Sequence, residues 1–192
     1  MTRNVLPGEP LSDGPTMLRP WRDSDLAALV AACQDPEIAR WTRVPSPYGE
    51  ADARAYMLQR HDAVHAGISA PFAIVSRDGQ LLGSISLMRP VWRHARAEVG
   101  YWVAREARGH GHATRGVQMI CTWGFAALGL ERIELLAATG NPSSQRVALR
   151  AGFTREAVLR SYMREAVLRS YMRGRHERQD MVAFGLLVDE ER

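Results

Sequence analysis

A glycine-rich loop at residues 108–114, with the sequence R-G-H-G-H-A-T, is the segment of this chain best suited to bind an anion. It follows a predicted strand and opens a predicted helix, whose first turn presents unpaired N–H groups and a partial positive charge. Gly109, Gly111 and Ala113 would let a diphosphate approach that backbone, and Arg108 could add charge-assisted hydrogen bonds. The spacing matches neither the P-loop nor the fingerprint G-x-G-x-x-G. The loop predicts another class of phosphate site, although an ordinary glycine-rich turn remains an alternative.

Histidine and cysteine residues point to less chemistry than the loop does. His110 and His112 lie within it, yet two imidazoles alone make a poor zinc site. Cys33 and Cys121 each lie in a helix-like apolar pattern, where free buried thiols in a reducing compartment are expected rather than a disulfide. We expect neither a metal nor a structural disulfide.

Length and composition bound the kind of protein that positions this loop. The 192 residues fit one domain, and 46% hydrophobic with 24% charged residues is typical of a globular protein. No apolar run approaches the roughly 18 residues that span a bilayer. Residues 1–15 are polar, rich in Pro and Gly, and lack the apolar centre of a signal peptide. We expect a flexible lead-in over 1–15, a domain over 16–188, a cytoplasmic location and no membrane partner.

The charge balance excludes few partners. The 25 basic residues are all arginine, and with 21 acidic residues they give a net charge of +4. This excess is small, so direct nucleic-acid binding is not expected, while contact with a ribosomal surface stays open.

Apolar periodicity predicts a mixed succession of strands and helices. Strands are predicted at residues 16–21, 71–77, 80–88, 97–103 and 132–138, and helices at 23–33, 50–65, 111–128 and 142–151, with a short helix after Pro36 and a final strand pair. The pair Asp78-Gly79 between two apolar runs is a strong hairpin signal. The succession predicts an α/β domain in which helices cover a mixed sheet.

A tandem duplication occupies residues 155–172, where R-E-A-V-L-R-S-Y-M occurs twice without change. Because nine is odd, equivalent residues of the two copies would face opposite sides of one continuous strand. We therefore predict that one copy pairs in the sheet and the other lengthens the connecting hairpin. A neutral duplication in a tolerant loop and a functional lid are both open interpretations.

The motifs around the loop resemble one enzyme superfamily. R-x-x-G-x-A, starting at Arg108, resembles the acetyl-coenzyme A (acetyl-CoA) pyrophosphate motif of the GNAT superfamily. Around it stand G-Y-W-V at 100–103, R-I-E-L at 132–135 and N-P-S-S-Q-R-V-A-L-R-A-G-F at 141–153. Their order over about 16–187 resembles the RimJ/RimL-like branch, which acetylates N-terminal amines of ribosomal proteins. The resemblance implies a single domain with a mixed sheet of about seven strands, splayed at its centre and flanked by about four helices.

The resemblance also implies roles for individual residues. It implies that ten residues bind acetyl-CoA: Val103, Arg108, Gly109, His110, Gly111, His112, Ala113, Thr114, Asn141 and Ser144. Pantetheine would lie where the strand ending at Val103 splays from the strand at 132–138. Asn141 would hydrogen-bond the pantetheine arm, and Ser144 would be the acid that protonates the leaving CoA thiolate. Both residues are also ordinary helix-capping types.

Acetyl transfer needs a neutral amine, a polarised thioester carbonyl and a route for the departing proton. Glu98, on the central strand before the splay, is the best-placed base, acting through water. Its alternative role is an ion-paired carboxylate among Arg93, Arg96 and Arg105. A backbone N–H near residues 99–101 could polarise the carbonyl.

The acceptor is the least determined part of the reaction. At pH ~7.4 an α-amine of pKa ~8 is roughly one fifth neutral, whereas a lysine of pKa ~10.4 is about one part in a thousand, a penalty of about 3 kcal/mol. A peptide N-terminus is therefore the easier substrate. A small amine, such as an antibiotic, polyamine or amino acid, and a non-catalytic acyl-CoA-binding module remain alternatives. An acidic cleft would favour a polycationic acceptor, and an open groove would favour a peptide. The chain could act as a monomer or a homodimer.

Four aromatic residues are candidates for the acceptor pocket: Trp41, Tyr48, Tyr56 and Trp92. At least half of them are expected to lie in the core instead.

Overall fold

Eight strands form one mixed sheet in the computed structural model, which describes residues 9–162 and 179–188. The strands are β1 (Leu11–Asp13), β2 (Thr16–Arg19), β3 (Ser69–Ser76), β4 (Leu81–Val91), β5 (Arg96–Val103), β6 (Arg132–Ala138), β7 (Thr154–Tyr162) and β8 (Gln179–Leu187). Their spatial order is β1-β2-β3-β4-β5-β6-β8-β7. Only the central β5–β6 pair is parallel among the described strands. The predicted α/β class with a mixed sheet is therefore confirmed.

Within residues 9–162 and 179–188, five α-helices cover this sheet. They are α1 (Leu26–Ala32), α2 (Pro36–Trp41), α3 (Glu50–His65), α4 (His112–Leu128) and α5 (Pro142–Arg150). The apolar side of α4 packs on the sheet in the larger core, which includes Val117 and Ile120. A smaller core joins α1, α2 and α3 to Trp102 of β5. The helices thus lie on both faces, because successive β5 side chains alternate between the two cores.

The two central strands separate halfway along their length. Backbone pairing of β5 with β6 runs from Arg96↔Arg132 to Val99↔Leu135 and then stops. Beyond that point β5 still pairs with β4, and β6 still pairs with β8, so neither strand has lost its other neighbour. The result is a V-shaped opening at the carboxyl ends of two parallel strands, which confirms the expected splay.

Two segments differ from, or extend beyond, the sequence prediction. Leu11–Asp13 forms β1 inside the segment predicted as a flexible lead-in; this polar three-residue strand pairs through its backbone and has no apolar pattern to reveal it. In the duplication, most of the first copy lies in β7 and pairs with β8. The second copy lies outside the described residues, so its predicted place in the hairpin stays a prediction.

Cys33 and Cys121 are buried, one in each core, and they form no disulfide with each other. Within the described residues, no helix has the length and apolarity required to cross a membrane. The same residues contain no cluster of three or more potential metal ligands.

Candidate active site

The V-shaped opening widens into a cleft of about 1270 Å³. Its walls are the separated ends of β5 and β6, the starts of α4 and α5, and residues 37–46 from α2 and the following loop. Polar and apolar groups both line it, because it exposes strand backbone beside apolar core side chains. A cleft at the carboxyl ends of splayed parallel strands is a common place for ligands in α/β proteins.

The glycine-rich loop forms the end of the cleft at which α4 begins. Gly111 precedes the helix with φ +82°, and Gly109 has φ +83°; L-residues with side chains rarely adopt this left-handed region. Gly109, Gly111, His112, Ala113 and Thr114 line the cleft, so the first N–H groups of α4 face it. His110 is not among the lining residues, and a role for it would have to come from its backbone.

Arg108 is fixed at the edge of the same cleft. Its Nε donates to the carbonyl oxygen of Val103, 3.1 Å away, at the end of β5. Its Nη2 donates to Oδ2 of Asp35 at 2.5 Å. A guanidinium held at two points loses less freedom when it binds a phosphate than a mobile one would.

His112 is a titratable residue of the glycine-rich loop 108–114, which together with the first turn of α4 we name the cradle. Its Nδ1 lies 2.8 Å from Oγ1 of Thr16 on β2. Partial burial, followed by the charges of His110 and Arg115, lowers the pKa of His112 below its ordinary value. The imidazole is therefore neutral at neutral pH in the unliganded protein.

This lowered pKa predicts how acid affects the free protein. In the unfolded chain, His112 takes up a proton near the ordinary histidine pKa of about 6.5. In the folded protein its pKa is lower, so the unfolded state binds more protons and the free energy of unfolding decreases as the pH drops through 6.5 towards the pKa of the folded state. His112→Gln removes this contribution. When the pH is lowered from about 7.5 to 5, we expect the melting temperature of this variant to decrease less than that of the wild type. Thermal unfolding without ligand measures both decreases. Equal decreases would contradict the assignment.

Asn141 and Ser144 meet at the start of α5. Oδ1 of Asn141 accepts a hydrogen bond from the Ser144 backbone N–H at 3.0 Å, which caps the helix. Asn141 and Ser144 both line the cleft. Both residues therefore lie beside the splay, and Asn141 also has the capping function that the sequence allowed, while their predicted contacts with acetyl-CoA stay a prediction.

The side chain of Tyr101 lies at the site, although the sequence had indicated a role only for the backbone near this residue. Its hydroxyl lies 3.1 Å from Oγ of Ser144, joining β5 to α5 across the cleft. Burial raises the pKa of Tyr101 to about 12 despite the opposing hydrogen bond with Ser144. The phenol is therefore protonated throughout the physiological range and can donate to Ser144. Its position within G-Y-W-V beside the splay was the available signal.

Glu98 lies apart from this hydroxyl pair. It is 7% exposed, does not line the cleft, and accepts a hydrogen bond from Nη1 of Arg89 at 3.0 Å. The sequence offered a base and an ion-paired carboxylate as alternatives, and the contacts favour the second. The partner is Arg89 instead of the expected Arg93, Arg96 or Arg105.

The irregular end of β4 explains this choice of partner. Pairing with β5 shifts between Met88 and Val91, and Arg89 itself has φ +54°. The shift interrupts the regular alternation of side chains and brings the Arg89 guanidinium to Glu98. Arg96 instead binds Glu134 at 3.1 Å.

The four aromatic candidates for the acceptor pocket divide as expected. Trp41 lines the cleft. Tyr48 is buried in the smaller core, and the hydroxyl of Tyr56 lies 2.8 Å from Oγ of Ser84. Trp92 is 42% exposed and lies outside the cleft.

Comparison with known proteins assigns this architecture to a family. The model of the acetyltransferase (GNAT) domain family matches residues 16–154. An uncharacterized N-acetyltransferase of Bacillus subtilis, YoaA, is 33% identical over 148 residues, covering 75% of this chain and 82% of that protein. The ribosomal-protein-serine acetyltransferase of Escherichia coli is 29% identical over 103 residues, covering 54% of this chain and 58% of that protein.

A solved structure shows the same fold at lower sequence identity. The spermidine N-acetyltransferase of Vibrio cholerae, in complex with CoA and spermine, superposes with a TM-score of 0.75 and 20% identity. The alignment covers 93% of this chain and 99% of that one. With the family match over residues 16–154, this chain belongs to the GNAT acetyltransferases and is an acetyl-CoA-dependent N-acyltransferase.

Proposed function

We propose that this enzyme transfers the acetyl group of acetyl-CoA to the N-terminal α-amine of a protein or peptide, by direct attack in a ternary complex. The observation that supports this acceptor is the charge of the cleft. Among its described lining residues the only carboxylate is Glu37, whereas five arginines are present: Arg40, Arg43, Arg108, Arg146 and Arg150.

A polyamine would find no suitable partner in these residues. Glu37 already accepts hydrogen bonds from Trp41 Nε1 at 2.8 Å and from Arg40 at 3.2 Å. Binding a polycation beside several arginines would bring like charges together, which costs several kcal/mol. A peptide that presents one amine, with neutral or acidic residues behind it, meets no such penalty.

The cradle and the splay would hold acetyl-CoA in this proposal. The N–H groups at the start of α4 and Arg108 would bind the diphosphate. Asn141 would orient the pantetheine arm between β5 and β6. A backbone N–H of β5 beyond Val99, where pairing with β6 has stopped, would donate to the thioester carbonyl as negative charge develops on its oxygen.

Two proton movements complete the transfer. The amine nitrogen forms a bond to the acetyl carbon while the bond from that carbon to sulfur breaks. Ser144 would give its hydroxyl proton to the departing thiolate and recover one from Tyr101, whose hydroxyl lies 3.1 Å away. Solvent water, which takes up the proton of the amine, would return one to Tyr101. An α-amine is already partly neutral near pH 7.4, so it makes a small demand on a base. Water in the cleft would take the amine proton directly, since Glu98, the relay expected from the sequence, is bound by Arg89 outside the cleft lining.

A panel of four acceptors tests the proposal with purified enzyme and acetyl-CoA. It contains a peptide with a free α-amine and acidic residues behind it, the same peptide with arginines instead, an N-terminally blocked peptide with one lysine, and spermine. We expect the first to have the highest kcat/KM and the blocked peptide to lie at least about 100-fold lower, since about 3 kcal/mol separates the two amines. Faster acetylation of spermine would identify a polyamine acetyltransferase and overturn the proposal.

A further inference from the structure

The segment 36–48, which we name the strap, forms one wall of the cleft and is anchored at three places. It comprises α2 and the loop that leads towards α3. Its ends are tied together because Nε2 of Gln34 donates to the Tyr48 carbonyl oxygen at 2.7 Å. This hydrogen bond brings the two ends of the strap together, with Ile38 and Tyr48 packed in the smaller core.

The second anchor rests on the opposite wall. Trp41, at the end of α2, packs over Gly140 in the turn between β6 and α5. A β-carbon added to Gly140 would lie only 3.5 Å from Cη2 of the indole. The next residue, Asn141, caps α5 and lines the cleft. The strap therefore touches the turn that presents Asn141.

The third anchor is Asp35, whose two carboxylate oxygens bind two different groups. Oδ1 accepts from the Glu37 N–H at 3.1 Å and caps α2. Oδ2 binds Nη2 of Arg108, the arginine of the glycine-rich loop, at 2.5 Å. The side chain of Asp35 is 10% exposed and that of Arg108 is 39% exposed, so the carboxylate is buried while the guanidinium stays partly open to the cleft and solvent. One carboxylate thus joins the start of the strap to the loop that binds acetyl-CoA.

We propose that Asp35 is a positioning residue that transmits acetyl-CoA binding to the strap, through the ion pair between its Oδ2 and Arg108. Acetyl-CoA bound at Arg108 and beside Asn141 stabilises the Asp35–Arg108 contact and the Trp41–Gly140 contact. The strap then becomes ordered over the acceptor side of the cleft. Two ligands that order the same segment bind cooperatively, so acetyl-CoA favours later binding of the amine. This consequence for the amine rests on the proposed function, whereas the ordering of the strap requires acetyl-CoA alone.

Hydrogen exchange followed by mass spectrometry, with and without saturating acetyl-CoA, tests the coupling in the full chain. In the wild type we expect acetyl-CoA to slow exchange in peptides covering residues 36–48 by about tenfold, together with residues 109–115. Asp35→Asn keeps an oxygen that caps α2 but loses the charge that binds Arg108. In this variant we expect residues 109–115 to be slowed as before, while the slowing at 36–48 is lost. Arg108→Gln should reproduce that loss at saturating acetyl-CoA.

A matched control separates coupling from simple loss of an ion pair. Glu50→Gln breaks the Arg54–Glu50 pair, which has the same 2.5 Å distance but lies exposed on α3 outside the cleft. It should leave the slowing at 36–48 unchanged. If Asp35→Asn speeds exchange equally with and without acetyl-CoA, Asp35 is only a structural cap and the proposal is wrong. It is also wrong if wild-type 109–115 is slowed but 36–48 is not, whereas failure at both places would instead refute the assigned acetyl-CoA site.

Discussion

Gly111→Glu is expected to abolish acetyl-CoA binding at practical concentrations, with an affinity loss of at least about 100-fold. Two causes act together. Gly111 has φ +82° immediately before α4, a conformation that costs a residue with a β-carbon roughly 1–2 kcal/mol. The new carboxylate would also lie at the N–H groups that we propose to bind the diphosphate, where it would replace electrostatic attraction by repulsion. Isothermal titration of the purified variant with acetyl-CoA measures the loss.

The other end of the same helix supplies the control. Gly129 ends α4 with φ +65°, no atom lies within 4 Å of where its β-carbon would be, and it is outside the cleft. Gly129→Glu therefore introduces the same side chain into the same backbone region, and should lower the melting temperature by roughly 2–4 °C for each kcal/mol lost. Its acetyl-CoA affinity should remain within about twofold of the wild type. Wild-type affinity in Gly111→Glu would refute the phosphate assignment.

Local pattern was sufficient to predict much of the fold. The bounds of α3 and β6 agree with the sequence prediction, because a helix that ends just before a glycine and a strand of alternating buried residues are both recognisable from a short stretch of sequence. The position of the glycine-rich loop at the start of α4 was predictable for the same reason, since the glycines and the helix are adjacent in the chain. Eight strands instead of about seven follow from β1, which only backbone pairing reveals.

Contacts between residues far apart in the sequence could not be predicted from local sequence patterns. Tyr101 and Ser144 are 43 positions apart, and Arg108 and Asp35 are 73 apart. Each residue had an adequate local explanation, such as a strand tyrosine or a helix cap, that gave no reason to seek a partner. The Arg89–Glu98 pair depends on an irregularity at the end of β4, which regular strand alternation cannot predict. The sequence therefore located the cleft more securely than the proton pathway within it.

The cleft itself limits which residues can serve that pathway. A leaving thiolate between β5 and β6 would lie near the starts of α4 and α5, and the hydroxyl pair of Tyr101 and Ser144 bridges β5 and α5 beside this position. Glu98 lies outside the cleft lining and is held by Arg89. We therefore propose Ser144 as the group that protonates the leaving thiolate, and this proposal predicts the second large effect.

Ser144→Ala is expected to lower the rate of acetyl transfer by about 100-fold while acetyl-CoA affinity changes by no more than about threefold. The variant loses the hydroxyl that would protonate the thiolate, a contribution typical of general acid catalysis. It keeps the backbone N–H that Asn141 caps, so α5 should remain in place. The rate should be measured in a single turnover with the preferred acceptor, so that slow product release cannot hide the chemical step.

Two further variants decide whether Ser144 acts with Tyr101. Tyr101→Phe should slow the same step by about tenfold, and the double variant should be no slower than Ser144→Ala alone, because Tyr101 acts through Ser144. Ser143→Ala is the matched control: the neighbouring hydroxyl accepts a hydrogen bond from Arg146 at 3.0 Å and takes no part in the pair, so its rate should stay near the wild-type value. A Ser144→Ala enzyme that transfers acetyl at the wild-type rate would remove Ser144 from catalysis and leave it as a residue of the α5 cap. Independent, multiplicative losses would instead show that the two hydroxyls contribute separately.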